Sequence, residues 1–180
     1  MEIVVYDTNV IIDLHSVGLL SVINHSGWNI HTTQLVISEL QRPSRDEVLQ
    51  TFPALKVHQY DTPEAYANIL SYLGGIAHRG NLSMTDASVL MLSKELNAIL
   101  STNDGKLRKV AAEQGVRISG TLGIIIMLLE QRLITIDRAK ESINQLMTNP
   151  RISLDLCEKA IDRIEYIKMI QGGQNDDIEF

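Results

Sequence analysis

The sequence predicts an α/β fold in which a central parallel sheet of about five strands is flanked by helices. Short apolar segments rich in β-branched residues alternate with helical patterns, and this alternation is typical of a parallel sheet. The first segment, residues 3–6, is apolar at every position, as expected for a strand covered on both faces. The chain has 180 residues, 44% of them hydrophobic, which suffices for one domain with a sizeable core.

The predicted elements follow one another with short connections. Strands are expected at residues 3–6, 28–32, 55–60, 98–101 and 116–118. Helices are expected at residues 10–23, 34–41, 47–52, 62–78 with a break at 74–75, 83–96, 105–114, 120–132, 137–147 and 153–170. Pro43 ends or kinks one helix, because proline lacks the amide hydrogen that a helix interior needs, whereas Pro63 suits a first helical position.

The alternation of strands and helices stops near residue 133, and only helical patterns follow. We therefore expect an α/β domain over residues 1–133 and a helical extension over 134–171 that packs on the same domain. The polar, acidic segment 172–180 is expected to be disordered. The apolar positions of the extension are predicted to cover the core, while part of its second helix could form a two-fold homodimer.

Composition and short motifs exclude several classes of protein. The net charge of -6 argues against broad, charge-driven binding to duplex nucleic acid. The longest apolar run, residues 122–129, is too short for a membrane span, which needs about 20 residues. The single cysteine, Cys157, excludes an intramolecular disulfide and suits a cytoplasmic protein. Phosphate-binding glycine loops and a serine nucleophile elbow are missing, and the five histidines are interpreted as scattered structural or surface residues.

Four carboxylates occupy positions from which they can converge. Asp7 follows the first predicted strand and Asp104 follows the fourth, and ligands of open α/β sheets bind beyond the carboxyl ends of strands. Glu39 lies in the helix after the second strand, and Asp86 lies in the first turn of a later helix. Such a cluster is tolerable where cations bind, and its hard oxygen ligands suit Mg²⁺ or Mn²⁺.

Each carboxylate also has a purely structural interpretation. Asp7 and Asp104 could cap the helices that follow them. Asp86 could form a capping box with Ser83, and Glu39 could be a solvated acid on a helix face. The joint pattern, with two acids at strand ends, favours the metal site.

Four segments resemble, in order, the sequence motifs of PIN domains. They are Val4-Val5-Tyr6-Asp7-Thr8-Asn9-Val10-Ile11, Val36-Ile37-Ser38-Glu39-Leu40, Leu82-Ser83-Met84-Thr85-Asp86-Ala87-Ser88 and Leu100-Ser101-Thr102-Asn103-Asp104-Gly105-Lys106-Leu107-Arg108. The later segment Gly120-Thr121-Leu122-Gly123, followed by an apolar helix and two more helices, resembles a PIN subgroup with a C-terminal helical pair. The resemblance implies a PIN-like three-layer sandwich.

The resemblance also implies a metal-dependent ribonuclease. Asp7, Asp86 and Asp104 would bind one or two Mg²⁺ or Mn²⁺ ions, and Glu39 would be a ligand or would orient metal-bound water. A second set of side chains could hydrogen-bond these carboxylates. That set is Thr8, Asn9, Thr102 and Asn103.

RNA and an antitoxin-like protein are the expected partners. The basic residues after Asp104 would hold RNA phosphates, or they form a solvated helix face; they are Lys106, Arg108 and Lys109. The chain could be the toxin of a toxin–antitoxin pair with an antitoxin-like protein partner. The alternative is a catalytically silent PIN-fold module that binds nucleic acid or a partner. A phosphatase is less favoured, because the Asp-x-Asp motif of one common class is missing after the first strand.

Overall fold

The centre of the fold is a five-stranded, all-parallel sheet. The computed structural model describes residues 2–76 and 81–173, with side chains through residue 170. The strands are β1 (Ile3–Tyr6), β2 (Asn29–Thr33), β3 (Lys56–His58), β4 (Ile99–Ser101) and β5 (Ile118–Ser119). Their order across the sheet is β3-β2-β1-β4-β5. The predicted fold class, an α/β fold with a parallel sheet of about five strands flanked by helices, is confirmed.

Helices connect the strands and continue beyond them. They are α1 (Thr8–Ser16), α2 (Leu20–Ile23), α3 (Gln34–Glu39), α4 (Arg45–Thr51), α5 (Pro63–Ile76), α6 (Met84–Glu95), α7 (Gly105–Glu113), α8 (Thr121–Glu130), α9 (Ile136–Leu146) and α10 (Leu154–Gly173). No helix within the described residues is long and apolar enough to span a membrane.

Two helical predictions need correction. The single helix expected over residues 10–23 is divided into α1 and α2, because Gly18 adopts a φ of 66°, a left-handed conformation that interrupts the helix. The break expected at residues 74–75 does not occur, and α5 continues to Ile76. His78, the predicted end of this helix, lies outside the described residues.

The strand order reverses at β1, and this reversal locates the site. β1 pairs with β2 on one side and with β4 on the other. The connections from these two strands leave in opposite directions, so a crevice opens between their carboxyl ends, where ligands bind in open α/β sheets. Val5 and Tyr6 are fully buried in β1, so the residue that follows them, Asp7, has a fixed position at the edge of this crevice.

The chain divides into two compact units, Met1–Thr121 and Leu122–Phe180. The first contains the whole sheet. In the second, α9 packs against α10, and Lys140 forms an ion pair with Glu165 across them. The domain boundary predicted at residue 133 remains a prediction. Of the predicted tail, residues 172–173 end α10, and residues 174–180 lie outside the described residues.

Candidate metal centre at the carboxyl edge of the sheet

Asp7 is a buried carboxylate that is held by three donors. It directly follows β1 and caps α1, and its side chain is 3% exposed. Its Oδ1 accepts a hydrogen bond from the Thr8 amide at 2.7 Å. Its Oδ2 accepts from Asn9 Nδ2 at 2.5 Å and from Thr102 Oγ1 at 2.6 Å. These contacts leave the carboxylate little freedom to rotate.

Asp104 occupies the equivalent place after β4, but it is exposed. It caps α7, with Oδ1 accepting from the amides of Lys106 and Leu107, each at 2.8 Å. Its own amide donates to Thr102 Oγ1 at 3.1 Å, so one threonine contacts both strand-end acids. The caps proposed for Asp7 and Asp104 are therefore present. At Asp104 the capping contacts involve only Oδ1, so Oδ2 remains for a ligand.

Asp86 and Glu39 approach from α6 and α3. Asp86 and Ser83 form the predicted capping box, in which Asp86 Oδ2 accepts from the Ser83 amide at 2.8 Å. Glu39 is the last residue of α3, and two threonines hold its carboxylate. Its Oε2 accepts from Thr8 Oγ1 at 2.9 Å, and its Oε1 accepts from Thr85 Oγ1 at 2.6 Å. Glu39 is therefore tied both to the residue after Asp7 and to the residue before Asp86.

The charge of Asp86 interacts with those of the other three carboxylates. Burial raises the pKa of Asp7 to about 6, and the charge of Asp86 contributes to that rise. Burial also raises the pKa of Asp86, and the charges of Asp104 and Glu39 raise it further. No lysine or arginine among the described residues forms an ion pair with any of the four. The crevice therefore carries negative charge that the described side chains do not neutralise.

The donor chemistry of this cluster suits a hard cation, although the side chains do not form a closed cage. Carboxylate oxygens are the ligands that Mg²⁺ and Mn²⁺ prefer, and a cation would relieve the mutual repulsion. As placed, no three acidic, histidine or cysteine side chains of residues 2–76 and 81–173 are grouped so that they could hold an ion. Asp7 is rigidly positioned and Glu39 is held by two threonines, whereas the exposed Asp104 would have to move toward an ion.

Three of the four side chains predicted to hydrogen-bond these acids do so. Asn9 and Thr102 donate to Asp7, and the Thr8 hydroxyl donates to Glu39. The side chain of Asn103 turns away from the four acids. Its Nδ2 donates to Asp13 Oδ2 at 2.7 Å instead.

The basic residues after Asp104 divide into two kinds. Lys106 and Lys109 are exposed on α7. Arg108 is partly buried, and its Nη1 donates to the carbonyl of Thr102 at 2.8 Å and to that of Ser119 at 2.7 Å. Arg108 thus joins the ends of β4 and β5. Its predicted contact with substrate remains a prediction.

Sequence reasoning missed several polar residues near the site. Asp13 is buried on α1 among apolar neighbours, and an acid inside an apolar helical pattern was the signal that could have identified it. Thr85 precedes Asp86 and donates to Glu39, a contact that the sequence alone does not predict. His31 and His58, which were interpreted as scattered, meet across β2 and β3 with Nδ1 and Nε2 2.7 Å apart.

The fold and the site together define a class: an α/β domain with a carboxylate-lined crevice where the strand order reverses. A family model described as DUF3368, PIN domain, matches residues 3–166. The chain therefore belongs to the PIN domain family, whose members are generally nucleases. A comparison with curated proteins gave no match.

Two solved structures are similar to this chain. One is a PilT N-terminus domain protein from the hyperthermophilic archaeon Sulfolobus solfataricus, with 21% sequence identity and a TM-score of 0.44. It aligns over 66% of this chain and 87% of the other. The second is FitAcB from Neisseria gonorrhoeae, with 19% identity and a TM-score of 0.41. It aligns over 64% of this chain and 95% of the other.

Proposed function

We propose that this protein is a Mg²⁺- or Mn²⁺-dependent ribonuclease whose ions are bound by Asp7, Asp86 and Asp104, with Glu39 as a further ligand or an orienter of water. The observation that carries the proposal is the gathering of four carboxylates that no described lysine or arginine neutralises. Burial, and to a lesser extent the charges of neighbouring acids, raises the pKa values of Asp7 and Asp86. Membership in the PIN domain family supports the nuclease class. When bound, the ions would lower the pKa of a bound water molecule and stabilise the negative charge on the phosphate oxygens.

The protein's own residues would position the reactants. The three hydrogen bonds to Asp7 hold one ligand rigidly at the end of β1. Thr8 and Thr85 fix both oxygens of Glu39, so this carboxylate can accept a proton from water without moving. The exposed Lys106 and Lys109 lie on the helix that Asp104 caps, so their ammonium groups could bind RNA phosphates beside the acids.

We further propose that the protein is a cytoplasmic toxin with an antitoxin-like protein partner. A free, buried cysteine, Cys157, suits a reducing compartment. The exposed apolar side chains of Tyr166, Met169 and Ile170 on α10 offer a surface for that partner or for a second copy of the chain. Membership in the PIN domain family is consistent with a toxin.

The experiment is RNA cleavage by the full chain with Mg²⁺ or Mn²⁺, compared with the chelated protein. Asp104→Asn should abolish metal-dependent cleavage, because it removes an exposed ligand with little effect on the buried core. Asp61→Asn is the matched control, because it removes one exposed acid outside the crevice. Wild-type protein that binds Mn²⁺ and RNA but never cleaves it would favour the catalytically silent binding module instead.

A further inference from the structure

Behind Asp7 lies a buried set of hydrogen bonds to which the proposed reaction assigns no role. Asp13, Asn103 and Thr121 form it, and we call it the Asp13 network. Asp13 is 3% exposed, and its Oδ2 accepts from Asn103 Nδ2 at 2.7 Å and from Thr121 Oγ1 at 3.0 Å. The Thr121 amide donates to Asn103 Oδ1 at 3.2 Å, so both ends of the Asn103 amide are fixed. A buried carboxylate persists only where donors satisfy it, so the network is a specific arrangement.

The network continues to Asp7 through Asn9. The Asn103 main-chain amide donates to Asn9 Oδ1 at 2.9 Å, which orients the Asn9 side chain. In that orientation Asn9 Nδ2 faces Asp7 Oδ2 at 2.5 Å. The reversed amide would present an oxygen to the Asp7 carboxylate and would repel it. The position of the Asn103 main-chain amide therefore determines which group of Asn9 contacts Asp7, and the bonds from the Asn103 side chain to Asp13 and Thr121 hold this residue in place.

We propose that Asp13 and Thr121 are positioning residues, which hold Asn103 and Asn9 so that the Asp7 carboxylate is preorganised for a divalent cation. This inference rests on the proposed metal site and assigns it a support that the motif residues do not include. Asp13 and Thr121 both hydrogen-bond Asn103, whose main-chain amide donates to Asn9, so both would act on Asp7 through these two residues. Residues that orient metal ligands commonly change metal affinity about 10- to 100-fold when they are replaced.

Gly120 makes the network sterically possible. A Cβ atom at this position would lie 2.7 Å from Asn103 Oδ1 and 3.3 Å from Arg108 Nη1. Asn103 cannot move aside freely, because both ends of its amide are hydrogen-bonded. An added methyl group would therefore displace Asn103 without removing any polar group.

The test uses three full-length variants: Asp13→Asn, Thr121→Val and Gly120→Ala. The first measurement is the NMR signal of the Asn9 side-chain amide in metal-free protein, which reports its contact with Asp7. The second is the affinity for Mn²⁺ alone, measured by calorimetry. Matched controls are Asp61→Asn, which removes an exposed charge, and Gly75→Ala, where a Cβ atom meets nothing within 4 Å.

In each folded variant we expect the Asn9 amide signal to shift and Mn²⁺ binding to weaken by about tenfold or more, with both controls unchanged. Should Asp13→Asn not fold, Thr121→Val and Gly120→Ala carry the test, because they retain the carboxylate. An unchanged Asn9 signal with a Mn²⁺ Kd within about twofold of wild type, in variants that are merely less stable, overturns the positioning role. Wild-type protein that binds Mn²⁺ without cleaving RNA overturns the ribonuclease proposal and leaves the positioning role intact.

Discussion

Replacing Asp7 by asparagine should remove a large pH dependence from the stability of the metal-free protein. Burial raises the pKa of Asp7 to about 6, from an ordinary value of 3.8. Because the folded state binds this proton more tightly than the unfolded state, Asp7 contributes stability that is complete below pH 3.8. That contribution is lost as the pH rises through 6. Ionised Asp7 therefore opposes folding at neutral pH when no cation is present.

The magnitude follows from the difference in pKa. The shift corresponds to about 3 kcal/mol in total at roughly 1.4 kcal/mol per pKa unit. About 1.4 kcal/mol of this should appear between pH 5 and pH 7.5, where acid unfolding interferes less. Asp7→Asn should lack this increment. At pH 7.5 the variant gains stability because the buried charge is gone. Its new NH₂ group, however, faces a group that donated to the carboxylate, and this lost hydrogen bond costs about 1–3 kcal/mol.

The assay is urea unfolding of wild type, Asp7→Asn and Asp61→Asn in EDTA at pH 5 and pH 7.5. In wild type, Asp7 should make the unfolding free energy about 1.4 kcal/mol higher at pH 5 than at pH 7.5. Asp7→Asn should lack this contribution, and the Asp61→Asn control should retain it. Equal pH dependence in wild type and Asp7→Asn would refute the argument that a buried, charge-crowded carboxylate lies at the end of β1.

Further predictions concern three other parts of the molecule. Replacing Lys106 and Lys109 together by Ala should reduce the slope of log K for RNA binding against log salt concentration by about 1–2. An unchanged slope would show that the two lysines only form a solvated helix face. His31 is largely buried beside His58 and its pKa is lowered to about 4. The folded protein should lose stability as the pH falls from 6.5 toward 4, and His31→Gln should flatten that loss in unfolding curves. Met169→Asp should convert any α10-mediated dimer to a monomer, as measured by sedimentation. A wild-type protein that stays monomeric at high concentration would show that α10 does not mediate a dimer.

The sequence predicts the ends of strands well, because a buried apolar segment followed by an acid is a local signal. Asp7 and Asp104 were found in this way, and their capping of α1 and α7 was expected. Local signals do not report which backbone groups converge. The bond from Arg108 to the carbonyls of Thr102 and Ser119 depends on the pairing of β4 with β5, which sequence spacing does not specify.

Buried polar networks were the hardest part of the site to predict. Asp13 lies on α1 where a helical acid is usually solvated, and its donors are 90 and 108 residues away in sequence. The division of α1 from α2 was missed for a related reason. Gly18 is tolerated inside many helices, and only its backbone conformation shows that this helix ends.

The most direct test of the account is whether the carboxylate cluster binds a divalent ion. Calorimetry with Mn²⁺ should show binding to the wild-type protein, and saturation at about 100 times Kd should stabilise it by about 2.7 kcal/mol in unfolding experiments. Asp104→Asn and Asp86→Asn should weaken binding strongly, while Asp61→Asn should bind like wild type. Absence of Mn²⁺ and Mg²⁺ binding by the wild-type protein, or equal binding by Asp104→Asn and Asp86→Asn, would contradict the four-carboxylate site.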